Sequence, residues 1–268
     1  MRYGICLPIA GECADPGVLR DIGSLAEASG WEGVFLEDYI VDPRDDRTCD
    51  PWIALAAIAT ATTKVVLGTM VTPLARRRPW KVAREVASLD QLSNGRMVLG
   101  VGAGDWRDPS WQRFGEEPDL RRRGEMVDKA LDTIVAYWLG ELKPRPVQRP
   151  RVPIWVGGTL PHRRPVERAA RWDGAVIGWK TVDGTEVLIS GEELRDLREW
   201  VRRLRDGDDS GFEYVMGGAS RLSDLSAERA RIQAMRDAGA TWWIEYAGVE
   251  KPIREIRAAV AAGPLRAG

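Results

Sequence analysis

Two stretches decide the fold: Val65-Val66-Leu67-Gly68-Thr69-Met70-Val71 and, beginning 32 residues later, Met97-Val98-Leu99-Gly100-Val101. Each is a short, continuously apolar run rich in β-branched residues, the pattern of a strand buried on both faces of a parallel sheet. The segment between them reads as a helix that Pro79 can start at its first turn and Ser93-Asn94-Gly95 can end. Working outward, residues 3–8 and Gly33–Leu36 are similar runs, with helical patterns at 18–29 and 51–62. Strands beginning near 3, 33, 65 and 97 recur about every 32 residues, the length of a βα unit.

The second half keeps the alternation. Strand-like runs at 154–156, 174–179, 213–216 and 241–246 precede helical patterns at 165–171, 192–205, 227–238 and 252–261. Eight strands and eight helices in strict alternation fit an α/β fold of the (β/α)8 TIM-barrel type better than an open doubly wound sheet. Residues 102–121 read as one long irregular connection, and 143–153 as a Pro/Arg-rich extended link. Because the alternation resumes after both, one domain over 1–268 is expected. The helix at 51–62, with Trp52, Ile53, Leu55 and Ile58, is apolar nearly all round. An outer barrel helix needs one apolar face, so its outward side is expected to meet a second subunit or a covering loop.

Composition narrows the chemistry. His162 is the single histidine among 268 residues, so a zinc site with several imidazoles and a His-pair acid/base scheme are both excluded. A formal charge of −1 gives no electrostatic case for nucleic acid or an anionic membrane. Cys6, Cys13 and Cys49 lack CxxC spacing, which disfavours a zinc ribbon or a disulfide framework. Pro8 and Glu12 interrupt the N-terminal segment before a secretory core forms, and no uncharged run spans a bilayer of about 30 Å. A cytoplasmic protein is the expectation.

In a barrel of this kind, functional residues sit where strands end. Those positions are Pro8, Glu37-Asp38-Tyr39, Met70-Val71-Thr72, Gly102-Ala103-Gly104-Asp105, Gly157-Gly158-Thr159, Trp179-Lys180, Gly217-Gly218 and Glu245-Tyr246. Gly100-Val101-Gly102-Ala103-Gly104 is a weak match to a dinucleotide loop, because Asp105-Trp106-Arg107-Asp108-Pro109 does not open a helix. It reads either as a backbone surface for a flat ring or as close packing at the rim. Gly157-Gly158-Thr159, running towards a helix with His162, Arg163 and Arg164 beyond, suits an anion, the plain alternative being a tight turn with solvated Arg. Lys180 suits an anionic substrate or, if burial depressed its pKa, a Schiff base. The runs Arg76-Arg77-Arg78 and Arg121-Arg122-Arg123 have nearby carboxylates and read as ion-paired surface.

Longer motifs add a resemblance. The segment Leu67-Gly68-Thr69-Met70-Val71-Thr72-Pro73-Leu74-Ala75-Arg76-Arg77-Arg78-Pro79 continues through Ala83-Arg84-Glu85 and Leu89-Asp90-Gln91-Leu92-Ser93-Asn94-Gly95-Arg96 to Leu99-Gly100-Val101-Gly102-Ala103-Gly104. With Pro153-Ile154-Trp155-Val156-Gly157-Gly158 and Ala169-Ala170-Arg171-Trp172-Asp173-Gly174, it resembles the luciferase-like monooxygenase family. The likeness covers roughly residues 1–180 and is most specific between 65 and 104.

The resemblance implies a barrel that holds FMN or the deazaflavin coenzyme F420 at the C-terminal strand ends. It implies a non-prolyl cis peptide at Met70–Val71 behind the ring, Thr72 near the ring's polar edge, Gly102, Ala103, Gly104 and Trp106 along the ring, and Gly157, Gly158 and Thr159 at the phosphate. Two departures stand out. Asp38-Tyr39 replaces the Asp-His often found in the F420 enzymes, and the insertion before the fifth strand is reduced to 143–153. The expected function is a flavin- or F420-dependent oxidoreductase on a small organic substrate, by hydride transfer or monooxygenation, with F420 favoured over FMN and no metal. Asp38 and Tyr39 are expected to contact the ring, Asp105 to relay a proton, and Trp106 and Lys180 to meet substrate. A homodimer is expected, with a flavin reductase as partner if the cofactor is FMN. The alternatives are a Schiff-base lyase using Lys180 and a non-catalytic flavin-binding barrel.

Overall fold

The structure, a computed structural model, describes residues 1–140 and 143–267; the expected domain also takes in Glu141, Leu142 and Gly268, which lie outside the described residues. The chain begins β1 (Arg2–Leu7), α1 (Pro16–Ala28), β2 (Gly33–Leu36), α2 (Pro51–Ala61), β3 (Val66–Thr69), β4 (Thr72–Pro73), α3 (Pro79–Leu92) and β5 (Met97–Gly102). It continues α4 (Ser110–Arg113), α5 (Leu120–Leu139), β6 (Ile154–Leu160), α6 (Arg163–Ala169), β7 (Gly174–Val182), β8 (Thr185–Leu188) and α7 (Gly191–Leu204). It ends β9 (Glu213–Ala219), α8 (Leu225–Ala238), β10 (Trp242–Tyr246) and α9 (Ile253–Ala261).

Helix starts follow local chemistry. Asp15 and Asp50 accept hydrogen bonds from the first free backbone N–H groups of α1 and α2, and Pro16, Pro51 and Pro79 occupy first-turn positions where no N–H is needed. Parallel ladders run β3-β2-β1-β10-β9-β7-β6-β5, and β3 pairs with β5 at Leu67↔Met97 and Gly68↔Val98. That last ladder closes an eight-stranded parallel barrel. No described helix is long and apolar enough to cross a membrane.

The strict eight-and-eight alternation needs correction. β4 resumes the third strand after an interruption at Met70–Val71 and pairs with Val101 and Gly102 of β5. β8 folds back antiparallel on β7 through Asp183 and Gly184, both at positive φ. An Asp-Gly turn between strand-forming runs is a hairpin signal that the sequence carries. The connection at 102–121 is not wholly irregular: it holds α4 and the start of α5, whose N-cap Asp119 accepts from the Arg122 N–H. In the Pro/Arg link, Val147 and Gln148 donate backbone N–H groups to buried Asp90, which ties the link to α3. On α2, Trp52, Leu55 and Ile58 are buried, while Ile53 is 62% exposed on the outward side.

The barrel interior is filled in a particular order. Phe35, Trp155 and Trp242 meet pairwise with ring centroids 5.5 to 5.7 Å apart. Glycines make room for them: a Cβ on Gly33 would lie 2.7 Å from Phe35, and one on Gly174 would lie 2.7 Å from Trp155. Beneath, at the strands' N-terminal ends, Arg2 stacks 4.3 Å from the Trp242 ring and pairs with Glu213. The plug closes that end, so open space is left at the C-terminal ends. Trp242→Ala should cost about 3–5 kcal/mol of stability, the usual effect of a large aromatic deletion in a core. Urea unfolding monitored by circular dichroism checks this, and a loss below about 1 kcal/mol would show that the rings are not packed as a unit.

Candidate active site

A cavity of about 1400 Å³ opens at the C-terminal ends of the strands. Cys6 lines it from β1, Glu37 to Tyr39 from the end of β2, Met70 and Val71 from the break after β3, and Tyr246 from β10. The peptide Met70–Val71 is cis, as the resemblance implies. Gly102 and Gly157 back the Val71 side chain; a Cβ on either would lie 2.8 and 3.0 Å from Val71 Cγ2. This wall is therefore backbone and one isopropyl group, flat and apolar.

The sequence-derived residues fall into two sets. Asp38, Tyr39, Met70, Val71, Gly102, Ala103, Gly104, Asp105, Trp106, Gly157, Gly158 and Thr159 line the cavity together. Thr72 and Lys180 do not. The Thr72 hydroxyl is fully buried and donates to Asp38 Oδ2 at 2.7 Å, 2.9 Å from Thr69 Oγ1. Lys180 pairs with Glu193 near the start of α7, outside the barrel. The cause is a register shift: β6 advances from Gly157 to Thr159 while β7 advances from Val176 to Trp179. One extra residue inverts the alternation, so Trp179 and Thr181 face the cavity and Lys180 does not.

Gly157, Gly158 and Thr159 also differ from expectation. They lie within β6, which runs to Leu160, rather than in a loop that opens a helix. Gly158 has a packing reason of its own, since a Cβ there would lie 2.2 Å from Pro165 Cβ. Beyond them, His162, Arg163 and Arg164 are exposed along the cavity edge.

Charges are organised in three groups. Asp38 is 1% exposed at its side chain and accepts from Arg77 Nη2 at 2.8 and 2.9 Å and from Arg76 Nη2 at 3.5 Å. Arg76 also donates to the Asp38 carbonyl and pairs with buried Asp108. At the rim, Asp105 accepts from the Tyr39 hydroxyl at 3.2 Å and from Arg107 Nε at 3.0 Å, and Arg107 reaches Glu186 of β8 at 3.1 Å. Burial pushes the Tyr39 phenol far above its ordinary value, which leaves it a neutral hydrogen-bond donor.

The third group joins two of the strand-end positions, Glu37 and Tyr246, to which the sequence assigns no role, with Arg44 and Asp42, which no motif in the sequence marks. Glu37 accepts from Arg44 Nη2 at 2.7 Å; Arg44 also binds Asp42 through Nε at 2.8 Å and Nη2 at 2.6 Å, and donates to the Tyr246 hydroxyl. Burial pushes the Glu37 carboxyl up from 4.5 to about 7, opposed by Arg44. Burial likewise raises the Tyr246 phenol and the Cys6 thiol well above their usual ranges. Glu37 and Tyr246 occupy strand ends, a signal the sequence offers; Arg44 sits in a polar loop that offers none.

The family model described as luciferase-like monooxygenase matches residues 1–208. The chain belongs to that family. Its members are F420- or flavin-dependent oxidoreductases or monooxygenases. An F420-dependent glucose-6-phosphate dehydrogenase of Nakamurella multipartita is 28% identical over 281 residues, covering 91% of this chain and 75% of the relative. The F420-dependent tetrahydromethanopterin reductase of Methanopyrus kandleri shares the fold, with a TM-score of 0.73, 13% identity and 97% of each chain covered. So does the oxygenating constituent of 3,6-diketocamphane monooxygenase from Pseudomonas putida, in complex with FMN, with a TM-score of 0.73, 13% identity, and 97% and 96% covered.

Two outcomes test the electrostatics of this luciferase-like site. Asp38→Ala leaves buried Arg76 and Arg77 without their shared carboxylate and should cost about 3–5 kcal/mol in urea unfolding. Glu37 contributes stability that is full below 4.5, its unfolded value, and lost as pH rises through about 7. The melting temperature of Glu37→Gln, relative to the native chain, should therefore rise from acid to mildly alkaline pH; a constant difference would show that folding leaves the proton affinity of Glu37 unchanged.

Proposed function

We propose that this chain is an F420-dependent oxidoreductase acting on a small organic substrate in the C-terminal cavity. The observation that carries the reading is the pairing of a flat wall with a basic edge in one cavity. The wall is Val71 backed by Gly102 and Gly157, and the edge is His162, Arg163 and Arg164. A planar tricyclic ring with an anionic tail has that shape and charge, so the residues present fit the group.

Met70, Val71, Gly102, Ala103, Gly104 and Trp106 would hold the ring, and Thr159 with the basic edge would hold the phosphate. When bound, the deazaflavin supplies two-electron hydride chemistry, and the protein supplies orientation and electrostatics. Asp38 acts on position: it fixes Thr72 and Arg77 and so sets the backbone beside Val71. Tyr39 and Asp105, joined by a hydrogen bond at the cavity rim, orient the substrate's polar groups. Lys180 lies outside the cavity, and no Schiff-base role is proposed for it. The F420-dependent relative at 28% identity favours F420 over FMN. If FMN is the ligand instead, the reaction class becomes oxygenation and a flavin reductase is needed.

Trp106 and Trp179 line the cavity, so their fluorescence reports a bound ring. Titration with F420 and FMN separately should give quenching by F420 at micromolar concentration. Tighter binding of FMN would replace F420 by the flavin, and binding of neither would overturn the proposal. Replacing Arg163 and Arg164 with Ala should weaken F420 binding about fivefold, or about 1 kcal/mol, and reduce its dependence on salt.

A further inference from the structure

The carboxyl groups around the cavity differ in what they are free to do. Both oxygens of Asp38 are taken by Thr72, Arg76 and Arg77. Asp108 is buried against Arg76 and accepts from the Ser110 N–H. Asp105 and Glu186 share Arg107, itself 51% exposed, at the solvent edge. His162 is exposed at the far edge, beside α6.

Glu37 is placed differently. It follows β2 directly, its side chain is 12% exposed, and it lines the cavity. The groups facing it are Cys6 from β1, Cys13 from the segment after β1, Tyr39, Asp42 and Arg44 from the segment after β2, and Tyr246 from β10. Cys6 and both tyrosines stay protonated, because burial raises all three. Arg44 is the one cation in the group, and fully buried Asp42 holds it by two side-chain bonds. Two carboxylates thus share one guanidinium. Asp42 has the bidentate contact, while Glu37 keeps one bond from Arg44 and a hydrogen bond from the Tyr246 hydroxyl, which together leave its charge incompletely compensated against burial.

We propose that Glu37 is the general acid/base of this cavity, exchanging a proton directly with the bound substrate. This rests on the oxidoreductase reading of the same site. The step moves one proton and no electrons. An O–H or N–H bond of the substrate breaks as an O–H bond forms on the Glu37 carboxylate, and the negative charge passes to the substrate atom. In the opposite direction the carboxylic acid returns the proton. Burial holds the carboxyl near 7, where both forms are populated at neutral pH and proton exchange is most effective. Arg44, bridging Glu37 and Tyr246, is the positioning residue: it fixes the carboxyl and the neutral phenol side by side.

The test uses the full chain with Glu37→Gln and Glu37→Asp. Without cofactor, infrared difference spectra across pH should show a carboxylic C=O band that titrates near 7. It should be lost in Glu37→Gln and retained, shifted, in Glu37→Asp. A band that Glu37→Gln leaves unchanged, or a Glu37 that titrates as an ordinary exposed carboxylate, overturns the proposal. With F420 loaded, secondary alcohols and sugar phosphates serve as probes. For any probe the native enzyme turns over, Glu37→Gln should lower kcat about 10²-fold with little change in KM, and Glu37→Asp should restore part of it. Retention of kcat in Glu37→Gln overturns the proposal. F420 affinity should be the same in all three proteins. Failure of the native chain to bind F420, with the infrared titration intact, overturns the cofactor reading and leaves Glu37 as a titrating cavity carboxyl.

Discussion

Three rings and the glycines that admit them set the geometry on which everything above depends. Phe35, Trp155 and Trp242 are too large for a barrel interior lined by side chains on every strand, and Gly33 and Gly174 yield the space. The alternation of large and absent side chains gives close packing without distortion of the strands. With Arg2 and Glu213 closing the barrel beneath them, the rings fill the barrel from its N-terminal end. The cavity is what remains above.

A second arrangement shapes the wall. Asp38 takes no part in the apolar surface itself, yet it binds Thr72 from one side and Arg76 and Arg77 from another. Each of those partners lies just beyond the Met70–Val71 peptide, so one buried carboxylate fixes the chain that carries Val71 into the cavity. Buried charges of this kind are tolerated because each group is held by hydrogen bonds, here through the Nη atoms of both arginines while their Nε atoms have none, and their removal is costly because a partner is then stranded. Glu37, the adjacent residue, has the opposite character: its neighbours leave its charge only partly compensated. Two carboxyls at consecutive positions thus differ in function because the chain turns them into different surroundings.

Much of the architecture was legible. The apolar runs near 3, 33, 65 and 97 are barrel strands, and their spacing alone implied helices folded back over parallel strands. The β7–β8 hairpin is equally legible in Asp183-Gly184, yet the βα alternation passes from the strand at 174–179 to the helix at 192–205 without it, because a turn signal inside a regular βα pattern is easily subordinated to the period. Lys180 was misplaced for a different reason. Alternation predicts which face a strand residue takes only while the register holds, and the shift at Gly157–Thr159 exists only in the pairing of β7 with its neighbour β6.

By itself the sequence determined the barrel, the strand ends that face the cavity, the glycines beside the third strand and the poverty in histidine. All of these are local properties: side-chain size, hydrophobic period and turn chemistry act over a few residues. The tertiary structure decided which of the strand-end carboxyls is neutralised and which is left near the point of titration. That depends on Arg44 and Arg77 arriving from segments 7 and 39 residues from the carboxylates they bind. A carboxyl's proton affinity is fixed by the dielectric and the charges within a few ångströms, and only the folded chain brings those together.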